Sequence, residues 1–316
     1  MEQTANNRQP AAIHAPHAEQ RVGVACGLSA HLLWGFFPIY IKLVSSAPAI
    51  QILAHRIAWS VVVIAIINTL RGGWGDLQNV LRDRRAMLML LGSTIAVSSN
   101  WFLFIYAVNA GHTLESSLGY FISPLLSVML GMTVLGERMR PWQRVSLLLA
   151  AMGVVYLTWL HGIIPWIALT LAGTFCLYSL LRKTVRAGAV SGLAIETAFL
   201  FIPALVTIAI YHAQGHTYDR RTWILLPFAG VVTAVPYLLF AAAARRLRLM
   251  TMGFLQYVTP TCHFLLAVFA FGEALARSEL ISFGLIWMAL VIYSWDSIRA
   301  YRSSLTPAPQ TASLSP

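Results

Sequence analysis

Four ionisable side chains, Lys42, Arg56, Glu115 and Glu196, sit inside or at the ends of long apolar runs. A charge at the centre of a bilayer costs roughly 2.5–3.5 kcal/mol on insertion scales, so intramembrane charges are candidates for function by default. Arg56 lies about six residues, and Glu115 about two residues, from the same end of their apolar runs. At such depths they can pair, and an ion pair that forms and breaks can latch one side of a pathway. Glu196 lies about six residues from the opposite end of its run, within reach of the basic clusters around Arg182 and Arg245, and offers a second latch. The plainer alternative is that each charge snorkels to its own interface. Lys42, near a run's end, suits that alternative best, although it could also meet an anionic ligand. His31, His55 and His263 also lie in apolar runs, where a histidine either couples a process to protons or simply packs with a hydrogen bond.

A second set is uncharged. Trp34, Asn100, Trp101, Tyr120, Tyr178, Tyr237, Gln256 and Tyr257 fall within the runs rather than at their edges. Interfacial Trp and Tyr belong at the membrane edge, as Trp74, Trp142, Trp166, Trp223 and Trp295 do. Mid-run aromatics with OH, NH or amide groups are what a cavity for a drug-sized organic molecule needs, with packing as the competing explanation for any single one. Pro124 and Pro260 fall near the middle of two runs. Each removes a backbone hydrogen bond, and freed carbonyls at membrane depth must face protein or a watery cavity, so both are hinge candidates.

Catalytic and cofactor signatures are missing. There is no H-E-x-x-H, no G-x-S-x-G and no deep pair of aspartates, and no G-K-[ST] follows the glycines of RGGWGDLQNVLRDRR. That segment reads instead as a short interfacial amphipathic helix. The three cysteines, Cys26, Cys176 and Cys262, form no C-x-x-C pair and read as small buried hydrophobes. No catalytic residue, metal site or cofactor is expected.

The elements that must position these residues follow from composition. Over 316 residues the chain is 58% hydrophobic and only 10% charged, with a mean hydropathy of +0.69; a soluble domain carries about 25% charged residues. The net charge of +11 comes from basic clusters between apolar runs, which argues for a bilayer partner and against nucleic acid. A helix needs about 20 apolar residues to cross the bilayer core. Ten segments qualify: 22–44, 50–70, 86–108, 113–134, 142–160, 164–182, 190–212, 222–244, 249–271 and 278–297. With the N-terminus inside, 17 Lys and Arg fall on inner segments and 4 on outer ones, so the positive-inside rule predicts both termini in the cytoplasm. The first run is too long for the apolar core of a signal peptide. Residues 1–21 and 299–316 read as disordered cytoplasmic tails.

Leu118–Glu137 and Phe254–Glu273 align at an offset of 136, with identities at Pro124/Pro260, Leu130/Leu266, Gly136/Gly272 and Glu137/Glu273. The expected architecture is therefore an all-α polytopic membrane protein of two five-helix repeats, 22–160 and 161–298. Five is odd, so the second repeat enters the membrane inverted. Inverted repeats recur in secondary transporters, with the substrate site near the midplane at their interface. Two apolar helices with a central proline could also look alike without common descent. Gly23-x-x-x-Gly27 and Gly188-x-x-x-Gly192 permit close helix approach, and a homodimer stays open.

The runs GLSAHLLWGFFPIYIKLV, ILAHRIAWS and NWFLFIYAVNAGHTLESSLGYFISPLLSVMLGMTVLGERMRPWQ closely resemble the RarD family, in the EamA group of the drug/metabolite transporter superfamily. The resemblance covers about 22 to 298 and is most specific over 100–142. It implies a multi-pass permease of the bacterial inner membrane that carries small organic molecules. The family's name reflects a link to chloramphenicol sensitivity and assigns no substrate.

Overall fold

The computed structural model describes residues 15–109, 113–161, 166–270 and 277–305, and these are helical with short connections and no strand. Helix is the expected outcome, because lipid offers no partner to a backbone N–H or C=O and a helix satisfies both internally. The chain begins with α1 (Ala15–Gly35), α2 (Phe37–Leu43), α3 (Ala49–Leu70), α4 (Trp74–Arg82) and α5 (Arg84–Asn109). There follow α6 (Thr113–Thr133), α7 (Pro141–His161), α8 (Trp166–Thr184), α9 (Ala189–Ala213) and α10 (Arg220–Leu225). The last elements are α11 (Phe228–Arg246), α12 (Leu249–Gln256), α13 (Val258–Leu265), a π-helical turn (Leu266–Ala270) and α14 (Arg277–Leu305).

Among the described residues seven helical stretches are long and apolar enough to cross a membrane. The protein is an all-helical, multi-pass membrane protein. Helix extends into both segments expected as tails, since α1 begins at Ala15 and α14 runs to Leu305. Two expected spans are interrupted. The first breaks at Phe36, and Pro38 occupies the first turn of α2, where its missing N–H is harmless. The span expected at 249–271 breaks at Tyr257, three residues before Pro260, because that proline has no N–H for the carbonyl of Gln256. The RGGWGDLQNVLRDRR segment does form a short helix, α4, and Asp83 Oδ1 then caps α5 by accepting from the N–H groups of Arg85 at 2.9 Å and Ala86 at 3.1 Å.

By packing, the chain divides into two compact units. The smaller comprises Arg138–Ile164 and Ala274–Pro316, where α7 packs on α14, Arg140 Nε meets Asp296 Oδ2 at 2.6 Å and Trp142 meets Trp295 edge to face at 5.6 Å. The larger comprises Met1–Glu137 and Pro165–Glu273. In it α3 packs on α9 and α11, α1 on α11, α5 on α8, and α6 on α8 and α12. The α3–α11 crossing is close: a Cβ on Gly230 would stand 2.4 Å from the Trp59 carbonyl carbon. Only glycine allows that approach, which brings Arg56 of α3 against Thr233 of α11.

Candidate substrate cavity

The larger unit holds an aromatic core. Trp34 (α1) packs against Phe175 (α8), Tyr237 and Phe240 (α11), with ring centroids 6.2, 5.1 and 5.6 Å away. Tyr237 also meets Trp101 (α5) and Tyr178 (α8) edge to face, each at 5.8 Å, and Trp101 Nε1 donates to the Tyr237 hydroxyl at 3.1 Å. Edge-to-face pairs place positive ring edges on negative ring faces, so the cluster fixes its members' orientations as well as burying area. Beside it lies a cavity of about 20 Å³, lined by Trp101, Tyr178, Tyr237, Glu196, Thr233 and small or aliphatic neighbours. That is room for about one water molecule.

Charge is built into the cavity wall. Glu196, in the third turn of α9, is buried and accepts a 2.5 Å hydrogen bond from Ser93 Oγ of α5. The buried guanidinium of Arg182, at the end of α8, places Nη1 3.7 Å from Glu196 Oε1 and donates through Nη2 to the Ala189 carbonyl at 3.3 Å. Among the described residues, Arg182 Nε and Nη1 and the Tyr178 hydroxyl have no hydrogen-bond partner. This ion pair is therefore closed off from water yet incompletely satisfied, unlike a bridge whose donors are all used.

Arg56 stands beside Thr233, a residue of the cavity lining. Its Nε donates to Thr233 Oγ1 at 2.9 Å, and its guanidinium carbon lies 4.5 Å from the centre of the Phe37 ring and 5.6 Å from that of Trp101. Tyr40, Tyr120 and Tyr237 lie in its neighbourhood. Among the described residues no carboxylate is within ion-pair distance of it.

Other residues singled out by sequence stand apart from this cluster. Asn100 is spent on tying α5 to α8, donating to the Leu171 carbonyl at 2.7 Å and Thr174 Oγ1 at 3.0 Å. Gln256 links α12 to α6 through Ser123 and Ser127, each at 3.0 Å. Tyr257 donates to the Phe121 carbonyl at 3.3 Å. Tyr120 is exposed and meets Phe104 and His263 edge to face. Lys42 lies in the last turn of α2 and is exposed. Glu115 is in the first turn of α6, with its side chain outside the described residues. Pro124 sits within a continuous α6, whereas Pro260 follows the α12–α13 break.

Sequence reasoning missed three contributors. Thr233 and Ser93 carry no signal beyond being hydroxyls in spans. Glu137, noticed only as a repeat position, caps the first turn of α12: its two carboxylate oxygens accept from the N–H groups of Leu249 at 2.7 Å and Met250 at 2.9 Å. Gly136, at φ +63°, makes the turn that aims it, and Lys183 Nζ donates to the Leu247 carbonyl in the same turn. Outside the spans, Tyr218 seals the α9–α10 loop; desolvation pushes its hydroxyl up to about 12, so it stays protonated and donates to Gln51 Oε1 at 3.1 Å. Among the described residues no group of three His, Cys, Asp or Glu side chains could hold a metal.

The sequence profile of the EamA-like transporter family matches residues 21–159. A protein named "Uncharacterized transporter" from Vibrio cholerae is 42% identical, covering 89% of this chain and 95% of its own. "Protein RarD" from Escherichia coli K12 is 41% identical over 90% of this chain and 97% of its own. "Chloramphenicol-sensitive protein RarD" from Pseudomonas aeruginosa is 33% identical over 89% and 96%. A crystal structure that is 20% identical superposes with a TM-score of 0.68 over 88% of this chain and 99% of its own, a likeness of fold alone.

Proposed function

The chain belongs to the RarD family of EamA-like transporters, and from that premise we propose that it is a secondary permease of small organic metabolites or drugs. It works by alternating access around the cavity between α3, α5, α8, α9 and α11. The observation that carries this reading is the cavity wall, where buried Glu196, partnered by Arg182 from the end of α8, meets Trp101, Tyr178 and Tyr237. At about 20 Å³ the cavity is far below the roughly 300–1,000 Å³ of a drug-sized site, so substrate entry requires helices to separate.

Ten helices in two inverted repeats are part of this proposal. In its support, α6, α7 and α8, which lie outside the seven stretches that are long and apolar enough to cross, are 21, 21 and 19 residues long. At about 1.5 Å per residue each reaches roughly 28 Å or more, close to the hydrocarbon thickness. The basic-residue asymmetry supports cytoplasmic termini in an inner membrane. Glu115 approaching Arg56 would close the outer side, and Arg182–Glu196 the inner side. No nucleotide-binding motif is present in the sequence, which leaves ion-coupled export or facilitated diffusion as the energetics.

Counterflow in proteoliposomes tests the reading. Vesicles preloaded with pooled unlabelled metabolites should transiently accumulate one labelled member, and empty liposomes should not. No accumulation from any pool, together with no ligand-induced thermal shift of the purified protein, contradicts it.

A further inference from the structure

Among the charges of the larger unit, Arg56 has a distinct status. Arg182 and Glu196 offset one another, and Arg246 pairs with Glu19 at 2.6 Å near the surface. Arg56 has no such partner among the described residues, although it lies well inside a 22-residue apolar helix where an unneutralised charge is costly. The described residues around the guanidinium hold it in place without neutralising it. Thr233 takes the Nε–H, Phe37 and Trp101 receive it over their rings, and Tyr40 and Tyr237 stand nearby. Cation–π contact stabilises a cation by about 0.5–2 kcal/mol and consumes none of its N–H donors. The remaining donors form a planar fork with no hydrogen-bond acceptor among the described residues, and unlike Arg182 the residue is only partly buried. A fork held at Nε, stacked on its face and open at its edge is the geometry for a bidentate carboxylate.

We propose that Arg56 is the recognition residue of the cavity and that the substrate is an organic carboxylate with an apolar or aromatic body. The carboxylate accepts from Nη1–H and Nη2–H along the free edge of the guanidinium, and the body lies on Trp101 and Tyr237, which border both Arg56 and the cavity. Binding supplies a negative charge beside Arg56, so the substrate lowers the energy of a residue that is costly in an apolar span. Thr233 is a positioning residue that sets the plane of the fork. This proposal rests on the transporter reading and narrows its substrate class.

The test uses the purified full-length protein and a panel of matched ring skeletons in three charge states: benzoate, benzamide and benzylamine, and the phenylacetate, phenylacetamide and phenethylamine set. Binding is read by thermal shift and by tryptophan fluorescence at fixed ionic strength. The carboxylates should bind in preference to both other sets. Arg56→Gln should weaken them roughly ten- to a hundredfold, as expected for lost hydrogen bonds to a charged group, and leave the amides unchanged. Arg56→Lys should retain part of the affinity. Thr233→Val should weaken carboxylate binding, and Thr233→Ser should restore it. Equal binding of the three charge states, or carboxylate binding indifferent to Arg56→Gln, overturns the proposal. Recovery of carboxylate transport in Arg56→Glu with Glu115→Arg also overturns it, since that exchange keeps a latch but inverts the recognition charge. Carboxylate binding through Arg56 without counterflow upholds the site and defeats the transporter reading. Arg56-independent counterflow of an amine does the reverse.

Discussion

The Arg182 guanidinium occupies the space where residue 192 would carry a side chain. A Cβ built on Gly192 would stand 1.9 Å from Arg182 Nη1. The arginine reaches Glu196, one turn further along α9, only by lying flat against bare backbone. Gly192→Ala is therefore expected to displace Arg182 and leave Glu196 buried without its partner. Breaking one side of a buried pair typically costs about 3–5 kcal/mol. Thermal unfolding in detergent should show a large fall for Gly192→Ala, and an unchanged midpoint would contradict the packing.

The same pair separates structural from transport roles. Arg182→Ala should destabilise strongly, because Glu196 is left charged and buried. Arg182→Met with Glu196→Leu removes both charges and should recover most of the stability, as apolar replacements of buried pairs often do. If the pair is the inner latch, that double variant folds but loses counterflow. Normal counterflow in a stable double variant would show the pair to be structural only.

Glu137 offers a milder test. Glu137→Ala removes the cap from the first turn of α12, for which a loss of about 1–2 kcal/mol is expected. Lys183→Ala acts on the same turn through the Leu247 carbonyl. The two changes should prove non-additive in a double-mutant cycle of unfolding midpoints, since both hold residues 247–250.

Asp219 gives a pH-dependent prediction outside the spans. Hydrogen bonds from Ser46 and Thr222 hold its carboxyl below the ordinary value of 3.8. A depressed folded-state value contributes stability above 3.8 that is lost as pH falls through the folded value. Ser46→Ala should lower the unfolding midpoint at pH 7, and the difference from wild type should shrink as the carboxylate protonates in acid. A difference that is constant with pH would contradict the linkage.

Much of this was legible in the sequence because hydropathy and loop charge report depth along the membrane normal. They do not report direction around a helix. In a soluble helix the polar face marks the outside, but lipid and protein core are both apolar, so a span's inward face carries little signal. Trp34, Trp101, Tyr178 and Tyr237 share a mid-span depth and meet in one cluster. Asn100, Gln256 and Tyr257 share that depth and tie neighbouring helices together. Arg182 was legible as a member of the inner basic cluster within reach of Glu196, and it is the member that turns inward to it. The break before Pro260 was foreseeable from the proline, whereas the uninterrupted helix around Pro124 depends on packing, with Gly253 so close that a Cβ there would be 2.7 Å from the Pro124 carbonyl oxygen.

The most direct test of the account is counterflow through proteoliposomes containing wild type and Glu196→Gln, run with a pool of labelled small organic molecules. The account predicts transient accumulation of one label by wild type, absent from empty vesicles and strongly reduced in Glu196→Gln while the variant remains folded. Accumulation by Glu196→Gln equal to that of wild type would place the pathway elsewhere, and silence of wild type with no thermal shift by any pool would contradict transport itself.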